Sequence, residues 1–517
     1  MKKVFSTVKG NILPILLGFA TLWLRLIGLG YSDYQGDEIK ALFLPDPTQT
    51  ISNFLLTQRK GPIQFLVTFI LKIFDPTYSS RFFMRLPFAI AGILTVYFFY
   101  RLVEMHFSKR AAFLGAFFLA TNGFFVAFSR IIQYQAFVIL FMVLSLYFFT
   151  LSSKKEGWKI KGLYLGFISW ALSCLSHYDG IFIAPFVFYT IYKWVKTYNI
   201  KTIKEFLRFF SLPGLISALL LASFYIPFVL EISKSTLSYW QGRITSTGGK
   251  ISSSKYLFTV YQPIYVIHIY SILVVLGTAS IFLKVINYVK QKNFEETLLY
   301  IGIGFWFIVP FIFLEVFVDI PGTHVYTYLI STFLVLGLGI DFIYKYFVKV
   351  LGKFAFAKFL FWLGTMIIFS FIFLQSNQIF VEHQTEYPWE SEKFLAWELT
   401  QPTPIFHLSM FGFPYYRHWN EIGDFIEYSE NNGYYSTNER KSIARYHISL
   451  EKDTKEAGYF IYIKNPQSFT NNIIYEKANY WAKNYQEILS FYKNGKPVAK
   501  IYSMPKGSLE EIQAQGY

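Results

Sequence analysis

Two adjacent acidic residues, Asp37 and Glu38, follow Gly36 in a polar stretch just after a long apolar run that ends at Gly30. A positioned carboxylate can take a proton as a general base, and a neighbouring carboxylate can support it or bind a metal ion. If the apolar run crosses a membrane, both acids lie just beyond its surface, where a solvated carboxylate needs no special role. The pair therefore indicates either a catalytic base with a supporting acid or a solvated loop.

Basic residues and histidines lie at comparable places, at the ends of further apolar runs. They are Lys60 before Gly61-Pro62, Arg81, Arg85, Arg130, His177 with Asp179, and His324. Cations on the outer side of a membrane run against the usual charge bias, and a phosphate headgroup is one ligand that would explain them. Snorkelling explains Arg81 and Arg85 equally well, and the two histidines equally fit an ordinary interfacial position.

The composition indicates that lipid surrounds much of the chain that must position these side chains. Of the 517 residues, 54% are hydrophobic, 21% are aromatic and 15% are charged, whereas soluble domains have about 25% charged residues. The net charge of +16 lies in short clusters between apolar runs, which is typical of membrane flanks rather than of nucleic-acid binding. The single cysteine, Cys174, excludes a disulfide framework or a cysteine-based metal site.

Eleven apolar runs are predicted to be membrane-spanning helices, each of which needs about 20 residues. They cover 11–30, 82–101, 111–128, 134–151, 162–178, 181–197, 209–230, 261–283, 297–318, 325–344 and 354–375. If the N-terminus is cytoplasmic, the cytoplasmic loops collect the Lys and Arg clusters, whereas the three short outer loops carry only Arg130. This asymmetry predicts an uncleaved first span, a cytoplasmic N-terminus and an extracytoplasmic C-terminus.

The apolar run from Gly61 to Phe74 is too short to span easily, and it contains Lys72. Counting it as a span would move the later lysine clusters to the outer side. It is therefore predicted to be a re-entrant or interfacial helix within a first outer loop of residues 31–80. Residues 1–376 are then an all-α polytopic membrane domain.

Residues 377–517 are polar and are predicted to form a small extracytoplasmic α+β domain. Apolar side chains recur on one face of a helix near Trp419–Tyr428, and the run Tyr459–Ile463 is strand-like. Two further strand-like runs, Ile488–Tyr492 and Val498–Tyr502, flank an Asn-Gly pair. An Asn-Gly pair between such runs is typical of a β-hairpin.

The order of these features resembles the membrane glycosyltransferases of GT-C fold, in particular the dolichyl-phosphate-mannose–protein mannosyltransferase and aminoarabinose transferase relatives. Those proteins have an outer-loop Asp-Glu pair, a Lys-Pro-Pro-Leu-like segment before an interfacial helix, an Arg-Leu-Pro segment opening the second span, and a Ser-Arg turn after the third. Here these segments read Gly36-Asp37-Glu38, Lys60-Gly61-Pro62-Ile63, Arg85-Leu86-Pro87 and Ser129-Arg130. The resemblance covers residues 11 to about 200 well and the later spans loosely.

The chain departs from that family at three places. Gly61 replaces the first proline, and Arg59 stands where some relatives carry an acid. A late Arg-Tyr or His-Tyr pair appears here as Thr327-Tyr328, with His324 one helical turn earlier. Residues three apart can share a helix face, so His324 stays a candidate phosphate ligand.

The resemblance implies that a sugar moves from a polyprenyl-phosphate donor to a hydroxyl of a lipid, glycan or protein acceptor at the outer surface of the inner (plasma) membrane. Asp37 is implied to be the general base, and Glu38 to orient Asp37, the acceptor or a metal. The remaining assignments are donor-phosphate binding by Lys60, Arg85, Arg130 and His324, and acceptor or sugar binding by His177, Asp179 and Tyr328. No cofactor is required, although a divalent metal at Asp37 and Glu38 is compatible with the reaction.

Two other functional classes compete with this one. A transporter or lipid flippase is disfavoured because the polar residues gather at the outer surface and no internal repeat is evident. A glycan polymerase or ligase would share the lipid-linked donor, but the largest outer loop here is the first rather than a late one. A nucleic-acid partner is not expected.

Overall fold

The computed structural model describes most of the chain. The described residues are 2–246, 249–250, 252–255, 257–258, 267–350, 355–384, 386, 389, 392–399, 411–429, 435–449, 458–467 and 479–508. Residues 261–266 and 354, at the starts of two predicted spans, lie outside this set.

Helices lie over all eleven predicted spans. Their bounds are Lys2–Leu26, Arg81–His106, Lys109–Thr121, Gly123–Phe128, Gln135–Lys154, Lys159–Ser176, Ala184–Thr197, Ile203–Leu230, Ile267–Lys290, Phe294–Val316, Tyr326–Val350 and Ala355–Phe380. Seven helices in the described part of the chain are long and apolar enough to cross a membrane. The chain is therefore a multi-pass membrane protein, and the count of eleven spans stays a prediction.

The third predicted span is two helices because Asn122 interrupts it. The backbone of Asn122 is extended, and its side chain accepts a hydrogen bond from the N–H of Phe124. The same residue thus ends one helix and caps the next.

Close helix contacts in the membrane domain rely on glycine. A Cβ on Gly337 would lie 2.4 Å from the carbonyl oxygen of Ala111, and one on Gly277 would lie 2.4 Å from that of Val335. Small residues allow helix backbones to approach closely in a membrane, where burial against lipid supplies little driving force. These contacts join the helices that begin at Lys109, Ile267 and Tyr326 into one core.

The first outer loop contains three short helices, Gly36–Ile39, Ile51–Leu56 and Ile63–Phe74. We call Gly36–Ile39 the acid helix. The helix Ile63–Phe74 has 12 residues and is about 18 Å long, short of the ~30 Å hydrocarbon core of a bilayer. Its length agrees with a helix that does not span. Shorter helical segments elsewhere are Glu156–Trp158, Tyr178–Ile183, Lys234–Ile244, Ser253–Lys255 and Gly322–Val325.

The described residues of the C-terminal region contain two small sheets, two helices with defined bounds and a further helical segment at 479–484. The strands are β1 (Lys393–Phe394), β2 (Trp397–Glu398), β3 (Tyr435–Thr437), β4 (Gly458–Ile463), β5 (Glu487–Lys493) and β6 (Lys496–Met504). The larger sheet has the order β3-β4-β6-β5, with β3 parallel to β4 and the other pairs antiparallel. The helices are Trp419–Glu427 and Lys441–His447, so the predicted α+β composition is confirmed.

The predicted hairpin is confirmed as β5 and β6. Its turn residues Asn494 and Gly495 have φ values of 49° and 73°, the combination that a two-residue hairpin turn requires.

The C-terminal sheet shares one hydrophobic core with the first outer loop. Ile422, Ile443 and Ile461 belong to the same buried cluster as Tyr34 and Ile39 of that loop. The C-terminal region is therefore packed on the segment that carries the two acids, with the helix Lys441–His447 in contact with Gly36–Ile39.

Candidate functional site

The acid helix holds Glu38 in a fixed, buried position. The helix begins after Gln35, whose backbone N–H donates to the Glu38 carboxylate at 3.0 Å. Glu38 also accepts from Arg85 with both oxygens at 2.8 Å and from the N–H of Ile132 at 3.1 Å. The side chain is 1% exposed, so Glu38 is a structural group that orients the acid helix.

Arg85 has no donor left for a phosphate. Besides the two bonds to Glu38, it donates to the carbonyl oxygens of Leu29, Ser32 and Asp33 at 3.0 Å each. A guanidinium has five N–H groups, and these five bonds use all of them. Arg85 therefore fixes the outer loop to the second predicted span, and its assignment to donor-phosphate binding stays a prediction that these contacts do not favour.

Arg130 also has a structural role. Its Nη1 donates to the carbonyl oxygens of Leu24 and Ile27 at 2.9 Å, which lie at the C-terminal end of the helix Lys2–Leu26. A cation at this end of a helix is favourable because the last carbonyls are unpaired and the dipole is negative there. Arg130 is buried and does not line the cavity described below, so its assignment to the donor phosphate stays a prediction that this position does not favour.

Asp37 is the acid of the pair that a substrate could reach. Its side chain is 27% exposed, and its nearest cation is Lys40 at 3.9 Å on the same helix. Side chains at neighbouring helix positions point about 100° apart. Because Glu38 points towards Arg85, Asp37 points in a different direction. Only Asp37 therefore keeps a carboxylate available for chemistry.

A large cavity lies beside the first outer loop. Its volume is about 700 Å³, within the ~300–1,000 Å³ range of small-molecule sites. Aromatic side chains form much of its wall, among them Phe182, Phe224, Phe228, Trp240, Phe313 and Phe317. Such a wall suits an apolar chain.

Charged side chains also line the cavity. Arg59 and Arg243 both lie against the ring of Tyr239, at 4.5 Å and 5.3 Å from its centroid, and Lys60 and His324 line the same space. Arg243 also donates to the carbonyl oxygen of Ile320 at 3.0 Å. The cavity thus combines apolar walls with several cations, an arrangement that suits a lipid phosphate.

Lys60 connects the cavity to the candidate base. Its ammonium group donates to the side chain of Gln133 at 3.1 Å and lies 5.1 Å from the ring centroid of Tyr134. Burial lowers the pKa of Lys60, and the nearby Asp37 carboxylate acts in the opposite direction. An anion in the cavity would further stabilise the protonated lysine.

Asp179 is the centre of a hydrogen-bonded cluster at the cavity. Its carboxylate lies 3.2 Å from Nδ1 of His177 and 2.7 Å from Nδ1 of His324, and it accepts from the hydroxyl of Tyr326 at 2.7 Å. Although burial opposes ionisation, these partners hold the pKa of Asp179 below its ordinary range. Asp179 and His324 line the cavity, whereas His177 is buried behind them, stacked on Tyr134.

Tyr328 lies outside the cavity lining. Its ring packs edge-on against Phe307 and Phe311, so its assignment to acceptor or sugar binding stays a prediction that this position does not favour. Tyr326, two residues earlier, is the tyrosine that reaches Asp179.

His177, Asp179 and His324 are a donor set that a divalent cation could use. Each offers one ligand atom, and these atoms lie within 4.8 Å of one another. Imidazole nitrogen and carboxylate oxygen are ligands that Zn²⁺ accepts. Asp37 and Glu38, the pair first considered for a metal, fit poorly because both Glu38 oxygens are bonded to Arg85.

Other residues at the site were missed by the sequence analysis. Arg243 follows a predicted span on the outer side, so the charge bias that singled out Arg130 could have found it. Arg59 was noticed only as a departure from the family pattern. Gln133 and Tyr326 carry no sequence signal, because their roles depend on contacts across the fold.

Comparisons with known proteins agree with this architecture. Residues 62–226 match the family described as dolichyl-phosphate-mannose-protein mannosyltransferase. This segment contains Arg85, Arg130 and Asp179 but begins after Asp37 and Lys60. No curated protein sequence matches the chain.

Solved structures extend the likeness to nearly the whole chain. ArnT from Cupriavidus metallidurans, crystallised with undecaprenyl phosphate, has a TM-score of 0.52 at 11% identity, covering 97% of this chain and 98% of that one. The Archaeoglobus fulgidus oligosaccharyltransferase has a TM-score of 0.47 at 12% identity, covering 90% of this chain and 60% of that one. The chain thus spans about three fifths of the length of the archaeal protein.

The class of protein is defined by these findings. The chain is a multi-pass membrane protein with the GT-C fold. The resemblance to GT-C membrane glycosyltransferases that the sequence predicted is confirmed, with residues 62–226 matching the mannosyltransferase family.

Proposed function

We propose that this protein is a membrane glycosyltransferase that moves a sugar from a polyprenyl-phosphate donor to an acceptor hydroxyl. The observation that carries the proposal is the cavity of about 700 Å³ that combines aromatic walls with Arg59, Lys60 and Arg243. Its apolar part would hold the start of the polyprenyl chain, and its cations would hold the phosphate. The fold supports the same class, since ArnT from Cupriavidus metallidurans was crystallised with undecaprenyl phosphate.

Asp37 is the proposed general base. It would take the proton from the acceptor hydroxyl while the hydroxyl oxygen forms a bond to the anomeric carbon of the sugar. The bond between that carbon and the phosphate oxygen would break, and its electron pair would remain on the lipid phosphate. The exposure of Asp37 and its electrostatic coupling to Lys60 support this role.

The departing phosphate would be stabilised by groups already in place. Lys60, Arg59 and Arg243 would bind the charge that develops on the leaving oxygen. His324, held by Asp179 at 2.7 Å, would donate a further hydrogen bond from its ring. Because these groups are positioned before the reaction, no metal is needed in this mechanism.

A divalent cation is compatible with the site as an addition. His177, Asp179 and His324 would hold it, and when bound it would supply positive charge near the phosphate. The protein side chains would still bind the lipid phosphate and take the acceptor proton.

The proposed location is the inner (plasma) membrane, with a cytoplasmic N-terminus and the C-terminal region outside. The support is the charge asymmetry of the loops. A reporter that is active only outside the cytoplasm, fused after Tyr517, should be active. A reporter signal confined to the cytoplasm would contradict this orientation, because the cavity would then be expected on the cytoplasmic side.

The reaction is tested with the purified full-length protein and a panel of undecaprenyl-phosphate-linked hexoses and pentoses. Mass spectrometry should detect free undecaprenyl phosphate and a glycosylated acceptor in envelope extracts. A lipid transporter would instead move the donor across reconstituted vesicles without cleaving it. Movement of intact donors without cleavage of any would overturn the proposed function in favour of transport.

A further inference from the structure

The C-terminal region touches the acid helix directly. The backbone N–H of Gly36, the first residue of that helix, donates to Oε1 of Gln467 at 3.2 Å. Gln467 lies just after β4 and is separated from Gly36 by 431 residues of sequence. The first turn of the acid helix therefore depends on a side chain from the other end of the protein.

Glu439 holds this contact in place. Its carboxylate accepts from the backbone N–H of Gln467 at 2.9 Å, from that of Arg440 at 2.7 Å and from the hydroxyl of Tyr415 at 3.3 Å. It is 5% exposed, so these donors replace the water that a carboxylate would otherwise bind. Glu439 thus fixes the backbone on both sides of the contact with Gly36.

The fit around Gly36 is close. A Cβ at this position would lie 3.0 Å from Nη1 of Arg440 and 3.2 Å from Oγ of Ser442. Arg440 immediately precedes the helix Lys441–His447, which packs on the acid helix through Ile443 and Ile39 in the shared core. A Cβ at Gly36 would require these two side chains to shift by a few tenths of an ångström, and a larger side chain would require more.

The polar segment before the acid helix is attached to the same region. The N–H of Asp33 donates to the carbonyl oxygen of Tyr415 at 3.0 Å, and the N–H of Arg417 donates to the Asp33 carboxylate at 2.7 Å. The segment is therefore held by Arg85 on one side and by Tyr415 and Arg417 on the other.

We propose that Gln467 and Glu439 are positioning residues that hold the acid helix, so that the C-terminal region completes the catalytic site. The catalytic part of this inference rests on the proposed role of Asp37. Neither side chain needs to touch substrate. They act through the backbone of Gly36, one residue from the candidate base, where a displacement of about 1 Å can cost about a hundredfold in rate.

The test compares Gln467→Leu with Asn438→Leu in the full-length protein. Asn438 is a matched control because it is also buried and also follows a strand of the same sheet, and it bonds both backbone groups of Ile463, at 2.8 Å and 2.9 Å. Amide hydrogen exchange of residues 33–42 and turnover of the donor are measured in both variants. Gln467→Glu, which keeps an oxygen acceptor for the Gly36 N–H, is the conservative variant.

We expect Gln467→Leu to speed exchange in residues 33–42 and to lower kcat at least tenfold, with donor KM unchanged. Asn438→Leu should leave exchange in that segment and kcat near wild type even if the melting temperature falls, and Gln467→Glu should recover most of kcat. Equal effects of Gln467→Leu and Asn438→Leu would mean a general structural role and would overturn the proposal.

The exchange measurement separates this inference from the proposed function. Faster exchange in Gln467→Leu supports positioning even if no donor is cleaved, whereas unchanged exchange overturns it even if the protein is a glycosyltransferase. If Gln467→Leu does not fold, Gly36→Val opens the same contact from the other side, because its branched side chain needs more room than Arg440 and Ser442 leave beside Gly36. Gly36→Val should lower kcat by a similar factor, and wild-type turnover in it would overturn the proposal.

Discussion

The two sides of the acid helix have different electrostatic environments. On one side, Glu38 is 1% exposed and bonded to Arg85 through both oxygens. On the other, Asp37 is 27% exposed and interacts electrostatically with Lys60, which lines the cavity. The two adjacent carboxylates thus have separate roles. Glu38 holds the turn in place, and Asp37 remains available for chemistry.

The same contrast applies to the cations on the outer side. Arg85 gives all five N–H groups to Glu38 and to backbone carbonyls, and Arg130 donates from Nη1 to two backbone carbonyls, whereas Lys60 lines the cavity beside an aromatic wall. A cation that opposes the usual charge bias can therefore be a structural cap as readily as a ligand for phosphate. The groups that the cation contacts, rather than the side of the membrane on which it lies, decide between these two roles.

The largest expected effect is on the exposed side of the acid helix. Asp37→Asn keeps the shape of the residue and removes the base, so turnover should fall by on the order of 10²–10⁴, with the fold and donor binding retained. Asp46→Asn, which changes an exposed acid of the same outer loop, is the matched control and should stay within about twofold of wild type, as surface changes do. Wild-type turnover of Asp37→Asn would remove the distinction between the two acids.

Substitutions on the buried side of the acid helix should change the stability of the folded protein. Arg85→Met leaves the Glu38 carboxylate buried without its partner, which typically costs about 3–5 kcal/mol. Lys40→Met removes only the exposed pair with Asp37, which typically contributes about 0–1 kcal/mol. Thermal unfolding in detergent should therefore separate the two variants, and equal melting temperatures would contradict a structural role for Arg85.

A smaller effect, on pH dependence, is expected where the C-terminal region holds the acid helix. Burial raises the pKa of Glu439 to about 7, so the folded protein keeps this proton over a range in which the unfolded chain, with a pKa near 4.3, has lost it. The folded state binds more protons there, and stability from this group falls as pH rises from about 4.5 to 7, by about 1–3 kcal/mol.

Glu439→Gln tests this pH dependence. The variant should lack that part of the decline in melting temperature between pH 5 and 7.5, so its curve should be flatter than that of the wild type. Parallel curves would show that Glu439 does not titrate in this range.

Much of the fold could be predicted from the sequence because local patterns determine it. Apolar length located the helices over the predicted spans, and the Asn-Gly pair located the hairpin. The loop that carries Asp37 was also located, because it follows a long apolar run. Each of these features depends on residues close together in the chain.

The parts that were missed, or that the structure does not favour, depend on contacts between distant segments. The partners of Arg85 and Arg130 are mostly backbone carbonyls of other segments, which have no sequence signature. Tyr328 was proposed because Thr327-Tyr328 stands where the resembled family has its late Arg-Tyr or His-Tyr pair, whereas the tyrosine that reaches Asp179 is Tyr326. The contact of Gln467 with Gly36 joins residues 431 positions apart, beyond any periodic pattern.

The central claim is that a lipid phosphate binds at Lys60, and binding of undecaprenyl phosphate to the purified protein tests it most directly. Lys60→Met should weaken binding by about tenfold or more, because hydrogen bonds to charged groups contribute about 1.5–3 kcal/mol. Lys72→Met is the matched control, since Lys72 is a half-buried lysine of the same loop that lies 5.9 Å from the Phe43 ring centroid and outside the cavity lining. Undecaprenol, which lacks the phosphate, should bind wild type and Lys60→Met equally. The account predicts weaker phosphate binding in Lys60→Met alone, and wild-type affinity in that variant would contradict it.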